Sequence, residues 1–165
     1  MINTLYVRGG AGTQNAALAA GGADFPAFCQ ATEEYDGSSW TAGPNTITIR
    51  GYAFSGGSQN AAWLSGGNLG TSPTFLSCTE EYNGSSWSAG GAMITARYYG
   101  AGAGGQFTAL AIGGQSAATT PAGSTSVEAY DGGSWATETS LINARRIFAG
   151  GGVQNAAVAA GIYPG

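Results

Sequence analysis

The sequence repeats itself. Gln14, Gln59, Gln106 and Gln154 recur at spacings of 45, 47 and 48 residues. Paired glycines at 21–22, 66–67 and 113–114 keep the same step, as do Tyr35, Tyr82 and Tyr130 and then Trp40, Trp87 and Trp135. A period of this length means one supersecondary module per unit, too small to bury both of its faces, so modules must stack. The units read as 1–44, 45–91 and 92–139, followed by a partial unit 140–165; together they form one repeat domain, 1–165. MINTL (1–5) aligns with LINAR (141–145), and neither a basic start nor an apolar run follows Met1. The reading therefore expects no signal peptide, and no membrane insertion, since no apolar stretch approaches bilayer length.

Each unit carries the marks of four short antiparallel strands. The first runs from the arginine to the glutamine, the second is AALAAGG or its equivalent, the third contains E-E-Y, and the fourth starts at the tryptophan. Between third and fourth lie Asp36-Gly37, Asn83-Gly84 and Asp131-Gly132, dipeptides that tolerate a tight hairpin turn. Helical periodicity is nowhere sustained. The fold class expected is all-β.

Composition then subtracts functions. Only 8% of the residues are charged, all five basic residues are arginine, His is absent, and the net charge is −4. So few cations will not grip a phosphate backbone, and no nucleic-acid partner is expected. Without His the commonest general base and metal ligand are missing, and no cofactor or metal is expected. Cys29 and Cys78 make no ligand spacing and read as free, small core residues.

Gly21-Gly22…Tyr35…Trp40, Gly66-Gly67…Tyr82…Trp87 and Gly113-Gly114…Tyr130…Trp135, with an arginine opening units at Arg50, Arg97 and Arg145, resemble the kelch repeat. The resemblance implies four-stranded blades of a β-propeller, about 3.5 per chain. The wording of QNAALAAGG and EEYDGSSW is most similar to kelch-type arrays of phage tail-fibre and virion-associated proteins, which implies a virion location. The Tyr and Trp residues then read as inter-blade packing.

Glu33, Glu80 and Glu128 each lie two residues before the strand-three tyrosine. Paired with the arginine of the following unit, they predict inter-blade ion pairs Glu33–Arg50, Glu80–Arg97 and Glu128–Arg145. Unit one has Leu5 at the arginine position, leaving Arg8 and Arg146 outside the pattern. Variation concentrates in the loops 23–31, 68–77 and 115–126, where a rigid scaffold places recognition. There Phe25, Phe28 and Phe75 offer stacking faces to a sugar ring, and Asp24, Asn68 and Gln115 offer hydrogen bonds to its hydroxyls.

Other motifs fall away. Asn83-Gly84-Ser85 fits a glycosylation sequon, but aspartate holds its place in the other units. The D-G-S-S-W segments lack the spacing of the sialidase Asp-box. Glu33-Glu34 and Glu80-Glu81 are neighbours on a strand and so face opposite ways. The expectation is a non-enzymatic structural or binding protein contacting a host surface glycan. A pure assembly module without a ligand is the alternative, and a glycoside-acting, sialidase-like enzyme the minor one. Three and a half blades leave two open ends, so either a homo-oligomer, ring or filament, is expected, or the chain is a fragment of a longer array.

Overall fold

The computed structural model describes residues 6–24, 27–70 and 74–161. It is all-β, built from three four-stranded antiparallel sheets and a two-stranded half sheet. The first sheet is β1 (Gly9–Thr13), β2 (Ala16–Ala20), β5 (Thr32–Tyr35) and β6 (Trp40–Gly43), with a short hairpin β3 (Ala23–Asp24) and β4 (Ala27–Phe28) inserted after its glycine pair. The second is β7 (Phe54–Ser58), β8 (Ala61–Ser65), β9 (Thr79–Tyr82) and β10 (Trp87–Gly90). The third is β11 (Ala101–Gly105), β12 (Thr108–Ile112), β13 (Val127–Tyr130) and β14 (Trp135–Thr137), and its long loop holds a single 3-10 turn, Ala117–Thr119. The half sheet pairs β15 (Ala149–Val153) with β16 (Ala156–Ala160).

Local chemistry sets the strand ends. Tyr35 pairs with Trp40, Tyr82 with Trp87 and Tyr130 with Trp135. Four residues therefore turn each outer hairpin. Its glycine, Gly37, Gly84 or Gly132, has φ of 96°, 89° or 95°, where a β-carbon is costly. The residue before it caps the turn: Asp36 Oδ1 accepts from the Ser38 and Ser39 N–H, Asn83 Oδ1 from Ser85 and Ser86, and Asp131 Oδ1 from Gly133 and Ser134.

The sheets stand side by side like blades, with β1, β7, β11 and β15 adjacent in that order along an axis. Glycine, more than the alanine of the second strands, permits the convergence. The inner strands read GGAGT, FSGGS, AGAGG and AGGGV, and a methyl at Gly102 would collide with the Ser55 backbone. Apolar side chains fill the spaces between blades. Leu18, Leu64, Tyr82 and Trp87 lie between the first and second, and Phe54, Trp63, Tyr130 and Trp135 between the second and third. Full burial of such side chains is worth about 1.5–3 kcal/mol each, which no isolated blade could collect.

Polar clamps fix how one blade sits on the next. Gln59 Nε2 donates back to the Ala17 and Tyr35 carbonyls, and Gln106 Nε2 to those of Ala62 and Tyr82. Trp87 Nε1 donates to Thr32 Oγ1 and Trp135 Nε1 to Thr79 Oγ1, at 3.1 and 2.9 Å. Tyr82 and Tyr130 donate their hydroxyls to Glu34 and Glu81 of the preceding blade.

The ion pairs differ from the expected cross-unit pattern. Arg50 pairs with Glu80 at 2.6 Å and Arg97 with Glu128 at 2.9 Å, each within its own blade. The reason lies in how the chain crosses between sheets. The carbonyl of Arg50 accepts from Gly22 N–H of the first blade, which pins its backbone there, while the guanidinium runs forward into the second. Glu33 pairs instead with Arg8, at 2.7 Å. Leu5 lies outside the described residues. Arg8, three positions later, reaches the carboxylate and the Ala19 and Ala31 carbonyls because its side chain is long. Arg145 meets no carboxylate among the described residues; its Nη1 donates to the Ala159 and Gly161 carbonyls.

Candidate functional site

Seven residues before each repeating glutamine stand Val7, Tyr52, Tyr99 and Ile147. All four adopt left-handed backbone conformations, with φ of 55°, 58°, 61° and 54°. Such a conformation costs a non-glycine residue about 1–3 kcal/mol, and it is a true outlier for β-branched Val and Ile. A relay of backbone hydrogen bonds enforces it. Tyr52 N–H donates to Val7 O at 3.0 Å, Tyr99 N–H to Tyr52 O at 3.2 Å, and Ile147 N–H to Tyr99 O at 2.7 Å. One residue per blade is thereby held at the end of the axis.

These four line a cavity of about 600 Å³ together with Arg8, Ala53, Gly100 and Phe148. Rings extend the site outward. Tyr52 lies 4.2 Å from Tyr99 and 6.0 Å from Phe28, centroid to centroid, and Tyr98 lies 4.2 Å from Tyr99 and 5.2 Å from Phe75. Burial, and then a hydrogen bond with Tyr52, holds the Tyr99 phenol above its usual range. It is a neutral hydroxyl at any physiological pH.

The expected ligand residues divide. Phe28 and Phe75 join this ring cluster, half-buried, at its two ends. Asp24 is exposed at the end of β3, and Phe25 lies outside the described residues. Asn68 spends its Oδ1 on the Gly70 N–H at 2.6 Å, and so shapes its own loop. Gln115 is buried; its Nε2 donates to Thr120 Oγ1 and its Oε1 accepts from Arg146. It braces the third loop and is buried away from solvent. Tyr52, Tyr98, Tyr99, Val7 and Ile147 were not anticipated. Their signal was there: V, Y, Y, I at one register position inside an otherwise repeating frame.

Seven of the nine acidic residues have structural tasks. Glu33, Glu80 and Glu128 sit in ion pairs, Glu34 and Glu81 accept tyrosine hydroxyls, and Asp36 and Asp131 cap turns. That leaves Asp24 and Glu138. No carboxylate or thiol lines the axial cavity, and among the described residues no group of three or more His, Cys, Asp or Glu could hold a metal ion. Cys29 and Cys78 are free thiols, and Cys78 Sγ accepts from Arg50 Nη2 at 3.0 Å. What the site offers is flat apolar rings, phenol hydroxyls and one shielded guanidinium. No protein-family model matches the chain, and no curated protein matches it either.

Proposed function

We propose that the chain is a non-enzymatic binding scaffold whose axial mouth and surrounding loops take a ligand, and that the ligand is a surface glycan. The relay of left-handed Val7, Tyr52, Tyr99 and Ile147 carries this reading. Strain of this kind persists where the surrounding structure imposes it, and it concentrates at ligand sites. Here it aims differing side chains from successive blades into one cavity. The faces of Tyr52 and Tyr98 suit the apolar C–H face of a pyranose, while phenol hydroxyls serve its polar rim. A virion setting rests on the resemblance of the repeat wording to phage arrays.

A glycan array with the purified chain tests the proposal. Binding to at least one sugar class is expected, weakened about tenfold or more by Tyr52→Gly, which keeps the left-handed backbone but removes the ring. No sugar binding, or binding indifferent to that change, would overturn it.

A second reading, association through the blade ends, has its own support. On the first blade the Gln14 amide, the Tyr35 hydroxyl and Trp40 Nε1 have no hydrogen-bond partner among the described residues, whereas Gln59, Tyr82 and Trp87 all use theirs on a preceding blade. Light scattering tests it: association with a second copy raises the mass above that of one chain, and a monomer at high concentration excludes it.

A further inference from the structure

Asn83 is the one asparagine of eight that precedes a glycine. The outer turn of the second blade holds that pair in a chemically loaded arrangement. Four donors converge on the side-chain oxygen: the Ser85 and Ser86 N–H reach Asn83 Oδ1 at 3.0 and 2.9 Å, and the hydroxyls of the same serines at 3.0 and 3.4 Å. Main-chain N–H donors fix which end of the amide is the oxygen. Asn83 Nδ2 has no hydrogen-bond partner among the described residues, and neither has the Gly84 N–H. The Asn83 side chain belongs to an exposed residue, open to water.

An amide displaced by its own main chain needs these features together. Donors aimed at a carbonyl oxygen stabilise the negative charge that gathers there when its carbon is attacked. The attacking nitrogen is at hand, because Gly84 has no β-carbon to hinder it and its N–H is not committed elsewhere. The leaving nitrogen gives up no bond to the protein. At Asn45, by contrast, the next N–H is held by the Gln30 carbonyl at 2.9 Å, and at Asn15, Asn60 and Asn155 the next residue is alanine.

We propose that Asn83 is a self-modifying site, which its own turn converts to aspartate. The Gly84 N–Cγ bond forms and the Cγ–Nδ2 bond breaks, and the amide nitrogen leaves as ammonia with the proton given up by Gly84. Water then opens the cyclic imide: its hydroxyl goes to Cγ and its hydrogen to Gly84 N, and the new carboxyl ionises. The fold already has a place for the product. Asp36 and Asp131 stand at this position in the other blades, each accepting two N–H at 2.8 Å, closer than Asn83 does. Backbone donors from Ser39 and Ser38 hold the Asp36 carboxyl down at about 2, so a charged side chain suits the turn. Opening at the main-chain carbonyl inserts a methylene into the backbone instead, and spoils the span between paired Tyr82 and Trp87. That isomer can close to the imide again, so repeated opening drains it into aspartate. The second blade gains a negative charge as the protein ages. The inference concerns an outer hairpin, so it and the glycan reading can fail separately.

The test follows the purified whole chain at mildly alkaline pH by peptide mapping and mass spectrometry, beside a synthetic peptide of residues 79–90 and the same chain in urea. Asn83 is expected to convert about tenfold faster in the folded chain than in either reference, short of the roughly hundredfold that a single donor brings in an enclosed site. Aspartate should exceed isoaspartate, and Asn15, Asn60 and Asn155 should remain amides. Ser85→Ala and Ser86→Ala, each removing one hydroxyl donor, slow the folded chain and leave the peptide's rate unchanged. The comparison of folded chain with peptide uses no variant, so misfolding cannot imitate it. A folded rate at or below that of the peptide, a majority of isoaspartate, or conversion indifferent to both serine changes would each overturn the inference.

Discussion

Tyr130 of the third blade donates its hydroxyl to Glu81 of the second across 2.7 Å. Burial, and then this carboxylate, pushes its phenol from 10.0 up to about 12. A raised phenol favours the folded state while it stays protonated. The stabilisation is therefore complete below pH 10 and is lost as pH climbs through about 12. Glu81→Gln keeps an acceptor but removes the charge, so Tyr130 should ionise at lower pH. Phenolate absorbance and melting temperature, both followed across the alkaline range, check this.

Arg97 and Glu128 are almost fully buried, with side-chain exposures of 0% and 3%. Burial lowers the arginine's affinity for its proton, and the Glu128 carboxylate opposes that. Arg97→Met leaves Glu128 charged and unpaired, at an expected cost of about 3–5 kcal/mol. Removing both with Glu128→Leu should not restore stability. The Gly113 and Ser126 carbonyls and the Ile94 and Thr95 N–H groups lose their partners too, at about 1–3 kcal/mol for each that stays buried. Urea denaturation of the two single variants and the double decides it.

The Asp36 turn should be an acid-sensitive point. Backbone N–H donors from Ser39 and Ser38 lower its carboxyl from 3.8 to about 2. A depressed carboxyl stabilises the fold above its unfolded value, and that contribution fades as pH falls toward 2. Asn83 caps the same turn in the second blade without a charge. Asp36→Asn should leave the melting temperature near neutrality almost unchanged and flatten its decline in acid.

Val7→Gly is expected to stabilise the chain or leave it unchanged, against the usual direction for glycine. The left-handed backbone at Val7, φ 55°, costs a β-branched residue about 1–3 kcal/mol, more than the roughly 0.5–1 kcal/mol of added chain entropy. Val7→Pro, which cannot take that φ and clashes with the relay, should unfold the first blade's edge. Denaturant midpoints compare the two.

The strand order of every blade was legible because its signals are local: the turn residues, the Tyr–Trp pair and the glycine pair. Contacts governed by where a long side chain runs were not. The sequence places Arg50 between units, but whether its guanidinium turns back or forward depends on the Gly22–Arg50 backbone bond, which pins one side of the residue. Arg8 escaped the register because a guanidinium can reach one cradle from positions three residues apart. The axial mouth was hidden for another reason. The repeat frame marks their shared register position, but no residue type marks a non-glycine positive φ, so Tyr52 or Ile147 taken alone gives no warning of a strained backbone. Gln115 looked like a loop amide free to bind, and only its contacts with Thr120 and Arg146 show it to be a brace.

The hydrogen-bond relay through Val7, Tyr52, Tyr99 and Ile147 separates shape from lettering. Tyr52, Tyr99 and Ile147 are each held by a main-chain bond to the preceding blade, a bond in which the side chain takes no part. Four addresses around one mouth can thus be rewritten singly, and a new letter alters what the mouth touches without moving the blade that bears it.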